Sequence, residues 1–366
     1  MRIDQIRLRN FRNYSSCQFV PDPGMNVIIG QNAQGKTNLL ESIVLLSTTR
    51  SHRASRDQDM IREGEEYCRV ECTLHGQPQT VLSAIVHDKG KTLMIQKKPV
   101  YRSSEFIGKL NAVLFAPADL EIFEAPPKVR RRMMDVEIGK ISSRYMQTLS
   151  SLMKILKERN SLLKRNQIDD AMMDILDEQL ADLEIQIIRM RRAFISRMNQ
   201  VLSRYYCRLS DENANITVVY HTVSETEDLQ QLKEELITRR AQCRERDQIL
   251  KTTSFGVHRD DLSFMINDHD VISYASQGQR RMVVLAWKMS LIAFISEQLK
   301  EKPVLLLDDV LSELDHQKRV NLFSLISTDI QTFITTTEID DILDFISVKP
   351  KIAKIENGQI REWKGD

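Results

Sequence analysis

The chain has no long apolar run, neither in its interior nor close to its first methionine. Spanning a bilayer takes about 20 consecutive apolar residues, and no run in the sequence approaches that length. The N-terminal MRIDQIRLRN alternates apolar and polar residues at once, whereas a signal peptide needs an apolar central segment. These absences predict a cytoplasmic protein with no membrane partner.

The chain also has few cysteines and a small net charge. The five cysteines are scattered without a CxxC pair, and no cluster of His or Cys completes a zinc set around the closest two, Cys68 and Cys72. Free thiols are therefore expected. The 52 basic and 51 acidic side chains leave a net charge of +1, which neither indicates nor excludes nucleic-acid binding, because that depends on a local basic patch.

The pattern of the chain predicts two structural parts. Strands and one buried helix, from Lys36 to Leu46, alternate in the first third, where three short strands joined by turn residues between 67 and 96 predict an antiparallel lobe. Residues 119–208 have helical spacing and predict an antiparallel hairpin, whose second helix runs from 170 to 205. Strand and helix signals then alternate as in a parallel α/β sheet, with strands expected at ITVVYH (216–221), LSFMIN (262–267), VISYAS (271–276), PVLLLDD (303–309) and IQTFITTT (330–337), and a closing hairpin at IAKIENGQIREW. The predicted fold class is therefore α/β, with a head formed by 1–118 and 209–366 and an inserted helical arm at 119–208.

A phosphate-binding loop follows the strand at 25–30. Every fixed position of GxxxxGK[ST] is present, and the loop precedes a helix, so backbone N–H groups and the helix N-terminus face the phosphates of ATP. Lys36 is expected to reach the β- and γ-phosphates, and the Thr37 hydroxyl to bind Mg²⁺. The predicted nucleotide-binding residues here are Gly30, Gln31, Asn32, Ala33, Gln34, Gly35, Lys36, Thr37 and Asn38.

Paired carboxylates end the apolar strand Val304–Leu307. Asp308 is expected to hold Mg²⁺ and Asp309 to polarise the attacking water. Many buried strands end in Asp, so the pair indicates a nucleotide site only in combination with the P-loop upstream.

Two further motifs suggest a site shared between two subunits. Ser276, Gln277, Gly278 and Gln279 begin a predicted helix and are expected to form an anion site. With the usual strand order, this site and the P-loop of the same chain do not reach one nucleotide, so we predict that each of two subunits contacts the nucleotide of the other. An N-cap is the alternative function of Ser276. Ser312-Glu-Leu-Asp315 fits a loop that crosses to the partner's site, and helix capping is the alternative for Asp315.

The order of these motifs resembles the ABC-type ATPases of chromosome maintenance, and most closely the RecF family of bacterial recombination and repair proteins. The stretches that carry the resemblance are LRNFRNY (8–14), STTRSHRASRDQDMIREG (47–64), LFAPADL (114–120), GVHRDDLSF (256–264), SQGQRR (276–281) and LLLDDVLSELD (305–315). It implies an ABC-type head with a mixed sheet, an antiparallel lobe and a short arm. It also implies an ATPase that dimerises with ATP, binds duplex and gapped DNA, and acts with RecO and RecR to load RecA. Arg12 and Asn13 enter the expected nucleotide site through the same resemblance.

Departures from the wider ABC pattern predict slow hydrolysis. Asp309 replaces the usual glutamate, and threonines at 335–337 occupy the stretch of the switch histidine. No glutamine lies between Gln96 and Gln147, so Asp119 is the candidate for the missing metal-contacting group.

Basic residues that could contact DNA form several groups, and a solvated helix face is the alternative for each: Arg50, His52, Arg53 and Arg56; Arg130–Arg132; Lys164 and Arg165; Arg189, Arg191 and Arg192; and His258 and Arg259. Two other protein classes stay open. A transporter-type nucleotide-binding subunit is disfavoured by the charged arm, and a P-loop kinase by the SQGQ and SELD motifs.

Overall fold

The computed structural model describes residues 1–165, 169–346 and 348–362, which form two compact units. The first comprises 1–120, 204–213 and the segment from 281 onward; the second comprises 121–203 and 214–280. The strands are β1 Ile3–Phe11, β2 Tyr14–Phe19, β3 Met25–Ile29, β4 Tyr67–Leu74, β5 Thr80–His87, β6 Gly90–Ile95, β7 Lys98–Val100, β8 Ala112–Phe115, β9 Ile216–His221, β10 Asp261–Ile266, β11 His269–Asp270, β12 Val304–Asp308, β13 Thr332–Thr336, β14 Lys351–Glu356 and β15 Gln359–Glu362. The α-helices are α1 Lys36–Thr48, α2 Ser103–Phe106, α3 Pro127–Ile141, α4 Ser143–Leu162, α5 Asp170–Ser210, α6 Leu229–Gln242, α7 Arg244–Leu250, α8 Val271–Tyr274, α9 Gln277–Leu299, α10 His316–Leu325 and α11 Asp340–Leu343.

Two sheets form the first unit. One has the order β15-β14-β3-β13-β12-β8, and its strands are parallel except for the β14–β15 hairpin. Strands β12 and β13 are buried along their whole length, as expected for central strands of a parallel sheet covered on both faces. The other sheet, β2-β1-β4-β5-β6-β7, is antiparallel, which confirms the predicted lobe.

Helix α1 packs its apolar residues into the core of this unit. Leu39, Leu40, Ile43 and Leu46 are all buried in one cluster with residues of both sheets, which confirms the predicted helix. The closing hairpin is confirmed for β14 and β15, whereas Trp363 lies outside the described residues.

Helices dominate the second unit, with one small antiparallel sheet, β11-β10-β9. The predicted first helix of the arm is divided at Ser142, whose hydroxyl accepts a hydrogen bond from Tyr145 N at 3.1 Å and caps α4. The second, α5, has 41 residues, a length of about 60 Å at 1.5 Å per residue. Part of the predicted connection between them, 166–168, lies outside the described residues.

Three predictions for this part of the chain need correction. Strands 216–221 and 262–267 do not join the parallel sheet; β9 and β10 pair antiparallel with each other. The predicted strand at 271–276 is wrong, because the Asp270 carboxylate accepts a hydrogen bond from Ile272 N at 2.7 Å and starts the short helix α8. Residues 214–280 pack with the helices and not with the head where 209–366 was placed, because side chains of α5 bind this segment: Asn199 Nδ2 donates to Val218 O at 2.9 Å.

Helix α9 is long and apolar enough to cross a membrane by length and composition alone. The sequence was expected to contain no segment of this kind. Its apolar window is 67% buried within the protein, and Trp287 on it is only 2% exposed. These values are typical of a core helix.

Candidate nucleotide site

The P-loop and the paired carboxylates meet at one edge of the parallel sheet. Strand β13 pairs with both neighbours in parallel, so that Thr335 aligns with Ile28 of β3 and with Asp308 of β12. Parallel strands present their carboxyl ends at the same edge, where open α/β sheets bind ligands. The loop after β3 and the carboxylate that ends β12 therefore lie side by side.

Close contacts behind the P-loop require glycine at both glycine positions of the motif, Gly30 and Gly35. Gly35 has a φ of +119°, and a Cβ there would lie 2.8 Å from Asn13 Nδ2 and 3.0 Å from Tyr14 Oη. A Cβ on Gly30 would lie 2.6 Å from the carbonyl oxygen of Ile355. Both glycines are needed for packing of the loop as well as for approach of a phosphate.

Lys36 lies folded against its own loop. Its Nζ donates to Gly30 O at 2.6 Å and to Gln31 O at 3.2 Å, and the side chain is 4% exposed. The ammonium group is thus held beside the loop's backbone amides, where negative phosphate oxygens would be stabilised.

Thr37 and Asp308 are in direct contact although 271 residues separate them. Thr37 Oγ1 donates to Asp308 Oδ1 at 2.9 Å, and Thr335 Oγ1 donates to the same oxygen at 2.9 Å. Burial raises the pKa of the Asp308 carboxyl, and the hydrogen bonds from Thr335 and Thr37 offset only part of that rise. A hydroxyl and a carboxylate at this spacing form the oxygen-rich ligand pair that Mg²⁺ prefers.

Asp309 is held in the left-handed region of the backbone, with a φ of +49°. Its N–H donates to Thr335 Oγ1 at 2.9 Å, so one threonine binds both residues of the carboxylate pair. Non-glycine residues adopt this conformation infrequently and often at functional sites. The conformation fixes where the half-buried side chain of Asp309 leaves the strand.

Asn13 and Tyr14 support the P-loop from the antiparallel sheet. Asn13 Nδ2 donates to Gln34 O at 2.7 Å, and Tyr14 Oη donates to Gly35 O at 2.8 Å. Asn38 Nδ2 donates to Asn13 Oδ1 at 3.0 Å. These contacts make Asn13 and Asn38 part of the loop's support, and the nucleotide binding expected of both residues stays a prediction.

The guanidinium group of Arg12 is engaged by protein groups. It donates to both carboxylate oxygens of Glu41, at 2.9 and 2.6 Å, and to Asp59 O. Glu41 is fully buried and also accepts a hydrogen bond from Ser51. Burial raises the pKa of Glu41, but the hydrogen bonds from Arg12 and Ser51 outweigh this and lower it overall. Arg12 thus binds the middle of α1 through Glu41, and its predicted role in nucleotide binding stays a prediction.

The Ser276 motif lies in the second unit and caps α9. Ser276 Oγ accepts a hydrogen bond from Gln279 N at 3.2 Å, and Gln279 Oε1 accepts one from Ser276 N at 3.1 Å. Ser276, Gln277 and Gly278 are exposed. The reciprocal pair is a capping box, so the alternative function as an N-cap is observed, and the contact with nucleotide stays a prediction.

Asp315 caps α10 in the same manner, with Lys318 N donating to its Oδ1 at 2.9 Å. Asp119 accepts hydrogen bonds from Lys288 Nζ at 2.6 Å and from Ala116 N at 2.8 Å. Its carboxylate is thus neutralised by a lysine. Roles of Asp315 and Asp119 at the nucleotide stay predictions.

Three of the basic residues proposed to contact DNA are engaged inside the second unit. Arg130 binds Asp261 through Nε and Nη2, at 2.8 and 2.7 Å. Arg191 is buried and binds Asp135 and Asp260 at 2.9 and 3.0 Å. Arg192 donates to the carbonyl oxygens of Ser224 and Thr226. These side chains stabilise the fold, whereas Lys164, Arg165 and Arg189 are exposed.

The sequence did not indicate the contact between the closing hairpin and the P-loop. Asn357 N donates to Gln34 Oε1 at 2.6 Å, and Gly358 N donates to Gln34 O at 3.2 Å. The Asn-Gly pair predicts a turn, but no spacing in the chain relates that turn to a loop 323 residues away.

Comparisons with known proteins agree with this geometry. The family described as an AAA domain matches residues 5–343. The chain is similar to the DNA replication and repair protein RecF of Staphylococcus haemolyticus, with 37% identity covering 98% of this chain and 100% of the relative. It is also similar to that of Streptococcus suis, with 38% identity covering 99% of this chain and 100% of the relative.

Solved structures give the same result. A structure of the recombination mediator protein RecF-ATP in the RecFOR pathway has a TM-score of 0.90 and 31% identity, covering 99% of this chain and 97% of that one. An Smc head domain from Pyrococcus furiosus has a TM-score of 0.58 and 17% identity, covering 98% and 95%; this likeness concerns the fold alone. Together they confirm the predicted fold class, an ABC-type ATPase head with a mixed sheet, an antiparallel lobe and inserted helices.

Proposed function

The chain belongs to the RecF family, and on that premise we propose that it is a slow ATPase that binds DNA as an ATP-induced dimer. The observation that carries the proposal is the hydrogen bond between Thr37 and Asp308, because it unites the P-loop with the carboxylate strand in one site. The proposed setting is recombinational repair and replication restart in the cytoplasm.

ATP is proposed to bind with its phosphates along the loop from Gly30 to Asn38. Lys36, already beside the loop carbonyls at 2.6 and 3.2 Å, would exchange these contacts for phosphate oxygens. The glycine-lined backbone supplies N–H donors. Water is partly excluded because Lys36 and Asp308 are each 4% exposed.

The oxygens of Thr37 and Asp308 fit Mg²⁺, which when bound would neutralise charge on the phosphates. Thr335 orients Asp308 by a hydrogen bond of 2.9 Å and also binds the Asp309 amide. Asp309 is proposed to accept a proton from the attacking water. Its side chain is one methylene shorter than the usual glutamate, so hydrolysis is expected to be slow.

A second copy is proposed to complete the site. Ser276 and the backbone amides of Gln277, Gly278 and Gln279 lie at the exposed start of the 23-residue helix α9, whose dipole favours an anion. The γ-phosphate held by the partner is the proposed ligand, and Asp315 is proposed to approach the same site from its loop.

The partners are proposed from the family and from one similar solved structure. A solved structure similar to this chain is of a recombination mediator in the RecFOR pathway. Duplex and gapped DNA, RecO and RecR are accordingly proposed as partners, with RecA loading as the outcome.

The test measures ATP hydrolysis with and without duplex DNA, together with the mass of the protein in ATP and in ADP. We expect slow hydrolysis that duplex DNA accelerates, and a dimer in ATP alone. A monomer in ATP would favour a kinase-type protein, and a dimer indifferent to DNA would favour a transporter-type subunit.

A further inference from the structure

A cavity of about 400 Å³ opens in the second unit between α4 and the loop that holds Thr252 to Arg259. Three of its lining side chains are cationic and none is a carboxylate: the lining residues are Met153, Leu156, Lys157, Asn160, Ser161, Lys164, Thr252, Thr253, His258 and Arg259. We call it the α4 cavity. Its size is in the range of ordinary ligand sites, and its charge favours an anion.

Several other cations of this unit are paired with carboxylates, among them Arg130 and Arg191. Arg159, the neighbour of Asn160 on α4, is fully buried and binds Asp177 at 2.6 Å and Asp247 at 2.7 Å. By contrast, the side chains of Lys157 and Lys164 have no hydrogen bond or ion pair with any residue that the structure describes. Unpaired ammonium groups beside a cavity are available to an external anion at little cost in broken contacts.

The walls of the cavity are fixed in advance. Asn160 Oδ1 accepts hydrogen bonds from Thr253 N at 2.8 Å and Thr253 Oγ1 at 2.7 Å, which leaves Nδ2 as the donor of that amide. His258 Nε2 donates to Thr253 O at 3.1 Å, and burial lowers the pKa of His258 to about 4. The neutral histidine thus holds the loop in shape at physiological pH, and the bonds between Thr253 and Asn160 hold the loop on α4. A rigid set of donors loses little entropy when it binds a ligand.

We propose that the α4 cavity binds a phosphate group of the nucleic-acid backbone. Ammonium, guanidinium, hydroxyl and amide donors around one space match the oxygens of a phosphate diester, and Met153 and Leu156 offer apolar contact to the sugar. The proposal rests on the proposed DNA binding and assigns one surface to it.

The test is the salt dependence of binding to a labelled duplex by the full chain with ATP. Lys157→Gln, Lys164→Gln and Arg259→Gln are compared with Lys154→Gln, an exposed lysine on the same helix that does not line the cavity. Each phosphate contact contributes about 0.9 to the slope of log affinity against log salt. We expect each cavity variant to lose about one unit of slope and to bind roughly three- to tenfold more weakly, and Lys154→Gln to change affinity less than twofold.

The outcomes separate the two proposals. If the wild type fails to bind duplex DNA at low salt, the proposed function is wrong and the cavity proposal with it. If the wild type binds and the three cavity variants keep its slope, only the cavity proposal is wrong. Inorganic phosphate tests the other source of the same chemistry: thermal stabilisation by phosphate that Lys157→Gln abolishes, with an unchanged DNA slope, would assign the cavity to a free anion and overturn the proposal.

Discussion

The amide nitrogen of Gly358 lies 3.2 Å from the carbonyl oxygen of Gln34, which joins the turn of the closing hairpin to the middle of the P-loop. The same carbonyl accepts a hydrogen bond from Asn13 Nδ2 at 2.7 Å. Gln34 is therefore fixed from two directions, by the antiparallel sheet and by the hairpin. The phosphate-binding loop is held in shape before nucleotide arrives, which lowers the entropy lost on binding.

Substituting Gly358 is expected to weaken ATP binding on the order of tenfold. Its φ is +70°, and a Cβ would lie 2.4 Å from Asn13 O, so Gly358→Ala combines the cost of a left-handed residue, about 1–2 kcal/mol, with a displaced turn. Titration with a fluorescent ATP analogue measures the loss. Gly64→Ala is the matched control, because Gly64 has a φ of +83° and nothing within 4 Å of its Cβ position. Equal affinities for the two variants would show that the hairpin does not support the loop.

Removing Arg191 is expected to destabilise the second unit by about 3–5 kcal/mol, because the buried carboxylate of Asp260 and the partly buried carboxylate of Asp135 lose their partner. Burial raises the pKa of Asp260 to about 6 even with Arg191 beside it. Arg191→Ala should lower the urea midpoint of unfolding, whereas Arg189→Ala, at an exposed position of α5, should change stability by no more than about 0.5 kcal/mol. Similar midpoints for both variants would contradict the structural role of Arg191.

These arginines illustrate a limit of the sequence. Arg189, Arg191 and Arg192 form one basic group in the chain, yet Arg189 is exposed, whereas Arg191 and Arg192 bind partners from other segments, such as Asp135 and Ser224. In the sequence, a cluster of like charges therefore has the same pattern whether each side chain is solvated or ion-paired in the folded protein. Only the packing of the helices decides which of them remain on the surface.

The P-loop side of the site was predictable for the opposite reason. From Gly30 to Thr37 the requirement for phosphate binding is local, since consecutive backbone amides and one helix N-terminus supply it. The strand ending at Asp308 is also predictable from local sequence, because it is a short apolar run followed by two carboxylates. The pairing of β9 with β10 was not predictable, because a short apolar strand has the same pattern in a parallel or an antiparallel sheet.

Stability is expected to fall as pH is lowered from about 6.5 to 4, in part through His52. Burial lowers the pKa of His52 to about 4, and its ring nitrogens are buried without a partner among the described residues. Between these pH values the unfolded chain binds the proton that the folded chain excludes, so the free energy of unfolding decreases, by at most about 3 kcal/mol for a shift of this size.

His52→Phe removes the titrating group and keeps a ring of similar size. We expect its thermal midpoint at pH 7 to equal or exceed that of the wild type, and its decline toward pH 4.5 to be shallower. The remaining decline includes His258, whose pKa burial also lowers to about 4. A variant whose midpoint falls with pH as steeply as that of the wild type would show that His52 does not carry the proton.

The composite site predicts a specific defect for Ser276→Arg. Ser276 is exposed and its hydroxyl accepts a hydrogen bond from Gln279 N at the start of α9, so a large cation there should leave the fold and the ATP affinity of the monomer nearly intact. It should abolish ATP-induced dimerisation, because the γ-phosphate loses its charge-assisted hydrogen bonds to the serine motif. Sizing in ATP and in ADP measures this directly, and a variant that dimerises in ATP like the wild type would rule out the sandwich arrangement.

Mixing two inactive variants tests the same arrangement through catalysis. Lys36→Arg should retain much of the nucleotide binding and lose hydrolysis, because a planar guanidinium does not reproduce the compact ammonium charge between the phosphates. In a mixed dimer of Lys36→Arg with Ser276→Arg, one composite site carries both substitutions and the other carries neither. That intact site is expected to restore hydrolysis that neither variant shows alone, up to about half the wild-type rate if the two sites act independently. Two sites each confined to one chain would give no recovery at any mixing ratio, since every site would then keep one of the two defects.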